Sequence, residues 1–195
     1  MAEAGTVFYQ DPLVADAFTV SFDFVATTTN GRADGIAFVM QTNGANAVGA
    51  AYGGFGAMNL TGYGVELDIF DSNTCDGGNG NHASVDLLSP CGTNGGIPGP
   101  IDTSPDLFGL GVGDIADGAW RTATIQLASG QLSVTVTDSS GNPYAVTNLQ
   151  NVALPGFTPG TPYYLGFGGG SGSNSLYARQ EIRNVHVTFS SLHCL

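Results

Sequence analysis

Apolar and polar residues alternate through Phe18-Thr19-Val20-Ser21-Phe22-Asp23-Phe24-Val25, which puts Phe18, Val20, Phe22 and Phe24 on one face of a half-buried strand. Short runs of the same kind recur at residues 36–40, 65–70, 83–88, 123–127, 132–136, 163–167 and 185–189. Turn-rich segments at 27–34, 44–62, 71–81, 89–105 and 168–175 separate them. No stretch carries helical periodicity. Many short strands joined by Gly-rich connections predict an all-β chain, an antiparallel sandwich or barrel. Leu127 and Leu132 flank Ala128-Ser129-Gly130-Gln131, a spacing that predicts a hairpin, and Trp120 at its head is expected to fill the core. Residues 89–108 form the longest loop candidate; loops beyond about 12–15 residues are commonly functional or tied down, and Cys91 offers a tie.

Composition fits a globular domain. The 195 residues include 30 Gly and 9 Pro, and 42% are hydrophobic, enough for one core. Only 10% are charged, which excludes a coiled coil and a charged disordered chain. The four cations, Arg32, Arg121, Arg179 and Arg183, face sixteen Asp and Glu, for a net charge of −12. Such a surface repels phosphate backbones and anionic lipid, so neither nucleic acid nor a membrane surface is expected as a partner. Carboxylates without basic partners often pair with hard cations instead. No apolar run approaches the roughly 18 residues of a membrane span, and the start Met1-Ala2-Glu3-Ala4 has no basic and apolar leader pattern. Cys75, Cys91 and Cys194 suit one disulfide plus an odd thiol in an oxidising compartment, or three thiols in a reducing one.

The chemistry concentrates after residue 65. Glu66 and Asp68 lie two apart on a strand, hence on one face, and Phe70 continues that face at the strand end. The following loop offers Asn73 and Asp76, and His82 opens the next strand. Carboxylates, an amide and an imidazole converging on one strand end make a metal site by ligand type. The oxygen ligands suit Ca²⁺, and the set that includes His82 suits Mn²⁺ or Zn²⁺.

This segment resembles the legume-type (L-type) lectin family, here its bacterial-like branch. Glu66, Asp68 and Phe70 keep the spacing of that family's metal segment, and Asn73, Asp76 and His82 keep its second half, with one extra residue between Phe70 and Asn73. Four further segments agree. Ala33 to Phe38 resembles the stretch carrying the key sugar-binding Asp, here Asp34, usually after a cis peptide. Gly53 to Gly56 resembles the glycine loop whose backbone N–H meets the sugar, at Gly53. Trp120 and the hairpin after it resemble a family hairpin, and 164–172 running on to 185–189 resembles the last strand pair with its specificity loop, where Ser171 and Gly172 lie.

The resemblance implies an antiparallel β-sandwich, a concanavalin-like jelly roll, over residues 5–190, with 191–195 as a C-terminal tail. It implies a noncatalytic, metal-dependent carbohydrate-binding domain. Asp34, Gly53, Phe70, Asn73, Ser171 and Gly172 would bind sugar. Glu66, Asp68, the Phe70 carbonyl, Asn73, Asp76 and His82 would hold Ca²⁺ and a transition metal, Mn²⁺, fixing the loop and the Ala33–Asp34 peptide. The partners would be mono- or oligosaccharide glycans met outside the cell or at its surface, and a Cys75–Cys91 disulfide would pin the metal loop. Family members usually carry some tens of residues before the part that Gly5 to Tyr9 resembles, so an exposed sheet edge and a homo-oligomer are expected here.

Two other readings stand beside this one. Glu66-Leu67-Asp68-Ile69-Phe70-Asp71 also resembles the signature of laminarinase-type β-glucanases, with Glu66 as nucleophile and Asp71 in place of the acid/base Glu, although Trp120 is the sole Trp where a Trp-rich cleft is expected. The other is a metal-stabilised adhesive or structural module that binds no sugar. Beside its proposed roles, His186 alternates with Val185 and Val187 and reads as an outward strand residue, and Asp86 as a residue behind the ligands or an exposed one.

Overall fold

The computed structural model describes residues 3–14, 16–71, 78–91, 98–172 and 176–191. Two antiparallel sheets pack face to face. The first is formed by β1 (Ala4–Phe8), β3 (Gly35–Gln41), β4 (Gly62–Asp68), β5 (His82–Pro90), β6 (Pro98–Thr103) and β11 (Tyr164–Gly170), in the order β1-β11-β3-β4-β5-β6. The second contains β2 (Ala17–Asn30), β7 (Arg121–Ala128), β8 (Gln131–Thr137), β10 (Val152–Ala153) and β12 (Tyr177–Ser191), in the order β10-β8-β7-β2-β12, with β9 (Pro143–Ala145) paired to β8. One 3-10 turn, Tyr52–Gly54, is the sole helical element among the described residues. The expected antiparallel sandwich is therefore the fold.

The alternation in β2 does what its period requires. Phe18, Val20, Phe22 and Phe24 all enter the core between the sheets, where Phe22 meets Phe167 edge-on at 4.8 Å between ring centroids. Ala123, Ile125 and Leu127 on β7 and Leu132, Val134 and Val136 on β8 complete that layer. The hairpin between β7 and β8 pairs Leu127 with Leu132 and turns through Ser129 and Gly130, both at positive φ (52° and 73°), the signature of a two-residue type I′ turn. Trp120 is not in the core: it is half-buried on the second sheet, with the Arg183 guanidinium 3.7 Å above its ring.

β3 is buried on both faces. Ile36, Phe38 and Met40 face the main core, while Ala37 and Val39 face outward into a second apolar cluster with Phe55, Ala57 and Leu88. The segment around residues 49–60 thus roofs the outer face of the first sheet, and the candidate site lies beside that roof. The opposite flank of the sandwich is open. The outer edges of β1 and β12 are unpaired among the described strands, and an apolar cleft of about 620 Å³ lies between them, lined by Val7, Phe167, Ile182, Val187 and Phe189. Val7 remains 60% exposed on an inward-facing row at the β1 side of this cleft.

Candidate functional site

The period of two fixes the first half of the site. On β4, Tyr63, Val65 and Leu67 point into the core, so Glu66 and Asp68 project from the outer face. On β5, His82, Ser84 and Asp86 share that face because Ala83 and Val85 are core residues. Register places His82 opposite Asp68 and Ser84 opposite Glu66. One ligand atom each from Glu66, Asp68 and His82 all lie within 4.8 Å of one another, and all three residues are buried. Asn73 and Asp76, together with Cys75, lie outside the described residues.

The polar contacts fit a cation. His82 Nδ1 lies 2.5 Å from the Asn79 carbonyl oxygen, to which it donates, so Nε2 turns toward Glu66, 3.7 Å from Oε1. A backbone carbonyl that fixes the imidazole in this way is a usual support for a ligating histidine. Ser84 Oγ lies 2.7 Å from Glu66 Oε1 and 2.8 and 2.9 Å from the two Asp86 oxygens. Burial, and then the Glu66 charge, push the Asp86 carboxyl well above the ordinary carboxylate range. Asp86 is fully buried beside Ser84 and Glu66, which excludes the exposed alternative. Glu66 Oε2 is buried without a hydrogen-bond partner among the described residues, an arrangement that costs free energy unless a cation is bound. Asp68 Oδ1 accepts from the Phe70 N–H at 2.6 Å, turning the chain at the strand end and leaving Phe70 half-buried.

Asp34 forms the second half. It follows a cis Ala33–Asp34 peptide, as the resemblance implies, and is 3% exposed. Its N–H donates to Gly170 O and its carbonyl accepts from Ile69 N–H, both at 3.0 Å, so its backbone bridges β11 and the end of β4. Its Oδ2 has no hydrogen-bond partner among the described residues, and burial pushes its carboxyl up to about 6. The Ala33 carbonyl accepts from the Ala178 N–H at 3.1 Å and from Gln180 Nε2 at 3.1 Å; Gln180 also reaches Gly170 O at 3.2 Å. Sequence reasoning missed Gln180, because its polar stretch of β12 shows no alternation.

Glycines let the roof approach. A Cβ on Gly168 would lie 2.1 Å from Phe55 O, and one on Gly170 2.5 Å from Tyr52 O. The segment read as turn-rich from 168 is therefore strand through Gly170, its side chains deleted to admit the Tyr52–Gly54 turn. Gly53 sits in that turn beside the exposed Tyr52. Beyond the strand, Ser171 exchanges hydrogen bonds with Glu3, its N–H donating to Glu3 O and its Oγ accepting from Glu3 N–H. Gly172 lies against Ala33, where a Cβ would come within 2.8 Å of the Ala33 methyl. Asp34, the Tyr52–Gly54 turn, Ser171 and Gly172 thus gather at one end of the first sheet, and Ile69 links them to Phe70.

No protein-family model matches the sequence, and no curated protein does. Solved structures do match. The VIP36 exoplasmic/lumenal domain in its Ca²⁺/Man3GlcNAc-bound form superposes with a TM-score of 0.72 at 18% identity, covering 100% of this chain and 77% of its own. A Lotus tetragonolobus seed lectin gives 0.71 at 18%, covering 96% and 83%. The metal-free lectin I-B4 of Griffonia simplicifolia gives 0.69 at 20%, covering 95% and 80%. The fold is that of a lectin sandwich. At these identities the likeness fixes architecture, and the site must be argued from its own chemistry.

Proposed function

We propose that this chain is a noncatalytic, metal-dependent carbohydrate-binding domain. The observation that carries the reading is Asp34: a buried carboxylate with one oxygen that has no hydrogen-bond partner among the described residues, held beside a cluster of metal-ligand type. A sugar offers a ring of hydroxyl donors and a patch of C–H. Asp34 accepts from the hydroxyls, a Gly53 backbone N–H donates, Phe70 supplies an apolar face, and Asn73, Ser171 and Gly172 complete the rim. Glu66, Asp68, His82, Asp76, Asn73 and the Phe70 carbonyl are the proposed metal ligands. Oxygen ligands favour Ca²⁺, and His82 with the carboxylates favours Mn²⁺ at a second position. Bound metal offsets the mutual repulsion of the buried carboxylates and fixes the chain after β4. The Ca²⁺-bound, mannose-containing VIP36 complexes and the galactose complex of lectin UEA-II support a mono- or oligosaccharide partner.

The β-glucanase alternative fits less well. Glu66 Oε1 accepts from Ser84 and faces His82 within the cluster of metal-ligand type, which leaves it poorly placed as a retaining nucleophile, and Asp71 is exposed. A Cys75–Cys91 disulfide would pin the metal loop and suits an extracellular or cell-surface setting. Single shallow sugar sites bind weakly, so copies joined through the open flank of β1 and β12 would supply avidity. Retention on a glycan surface with Ca²⁺ and Mn²⁺, lost in EDTA and without release of reducing ends from laminarin, is the expected result. Hydrolysis of laminarin would replace the reading with the glucanase, and absence of retention in any condition would leave the adhesive module.

A further inference from the structure

Arg32, one of four cations in a chain of charge −12, joins three separate segments of the chain. Its Nε donates to Ile69 O at 3.1 Å, one Nη donates to Gly80 O at 2.9 Å, and the other pairs with Asp114 Oδ2 at 2.8 Å. Ile69 and Gly80 bracket the segment that runs from the end of β4 to the start of β5 and carries Asn73 and Asp76. The two shoulders touch: a Cβ on Gly80 would lie 2.8 Å from Asp71 N and 3.1 Å from the Phe70 carbonyl carbon. Residues 32–34 also grip Ile69 on both its polar groups, since its N–H donates to Asp34 O while its carbonyl accepts from Arg32.

The far side is anchored too. Asp114 is itself oriented by the Ala116 N–H, at 2.9 Å from Oδ1. Asn81, next to Gly80, donates to Asp106 Oδ1 at 2.8 Å and to Gly113 O at 3.2 Å, and accepts from the Ile115 N–H at 3.0 Å. The segment from Asp106 to Ile115 therefore backs the start of β5, and Arg32 is the cross-piece joining it to the end of β4.

We infer that Arg32 is a positioning residue that clasps the two shoulders of the metal segment, holding the chain that leaves Asp68 against the chain that enters His82. The inference rests on the metal-site reading above. A guanidinium suits the task because its donors leave one rigid plane in fixed directions and can meet three acceptors on three segments at once. A lysine ammonium at this position meets one or two of them.

The test is calorimetric titration of CaCl₂ into wild type, Arg32→Met and Arg32→Lys, with melting curves in Ca²⁺ and in EDTA. Loss of a group that supports a metal site typically weakens metal binding about 10–100-fold. The clasp predicts a loss of about that size for R32M, partial recovery in R32K, and a smaller Ca²⁺-induced rise in Tm. A merely structural arginine would lower the Tm equally in Ca²⁺ and in EDTA, leaving the rise and the Ca²⁺ affinity as in wild type; that result overturns the inference. If R32M shows no cooperative melt, Asp114→Asn, which leaves Arg32 in place without its anchor, is expected to weaken Ca²⁺ several-fold, and unchanged affinity in both D114N and R32K overturns the inference equally. Wild type that binds no Ca²⁺ overturns the metal site itself, and the clasp with it.

Discussion

Asparagine at Asp34 removes a buried charge and keeps the shape. Burial raises the Asp34 carboxyl from 3.8 to about 6, so the folded protein holds this proton more tightly than the unfolded chain does. The contribution to stability is fully present below pH 3.8 and is lost as the pH rises through about 6. At about 1.4 kcal/mol per pH unit the full effect is about 3 kcal/mol, of which about 2–3 kcal/mol falls between pH 4 and pH 7.5. The assay is urea unfolding of wild type and Asp34→Asn in EDTA across that range. The stability of wild type minus that of D34N should grow by about 2–3 kcal/mol as the pH falls from 7.5 to 4. Any fixed cost of placing an amide at this position adds the same amount at every pH and drops out of the comparison. A difference that stays flat with pH would refute the view that Asp34 is a desolvated carboxylate kept charged at neutral pH at the expense of the fold.

Two further outcomes follow from the same structure. Ca²⁺ at about 100 times its Kd should stabilise wild type by about 2.7 kcal/mol, a Tm rise of about 5–10 °C for a chain of this size. Asp68→Asn removes a proposed ligand and should abolish that rise, and a rise equal to wild type would place the metal elsewhere. Phe22→Ala deletes a core ring 1% exposed and should cost about 3–5 kcal/mol, lowering Tm by about 6–20 °C while the Ca²⁺-induced rise survives. Loss of that rise in F22A would mean that the sheet packing and the metal site cannot be separated.

The strands that carry the core were legible because alternation is a direct image of a half-buried strand, and β2, β7 and β8 keep it. β1 and β6 were not: Ala4–Phe8 is short and holds a glycine, and Pro98–Thr103 contains two prolines tolerated only because the strand lies at a sheet edge. The first half of β12 is polar because it lies on an exposed edge, and the Thr-rich end of β2 that it pairs with reads as turn for the same reason. In the site, Glu66, Asp68 and His82 were legible because a period of two and an antiparallel register bring them together without any distant contact. The significance of Asp34 reached the sequence reading only through family resemblance. Arg32 and Gln180 were invisible to both, since they act on backbone carbonyls that the fold brings near, and a carbonyl has no letter in the sequence. Asp86 was left between two readings because alternation places it on the outer face of β5 without saying whether that face is covered.

The central claim is that Asp34 and bound metal together make a sugar site. Its most direct measurement is retention of wild type and Asp34→Ala on a glycan array, each with Ca²⁺ and Mn²⁺ and each in EDTA, with melting curves to establish that both proteins are folded. The account predicts a defined set of glycans bound by wild type in metal, none bound in EDTA, and none bound by folded D34A even in metal. Equal retention of D34A, or retention by wild type that persists in EDTA, would contradict it.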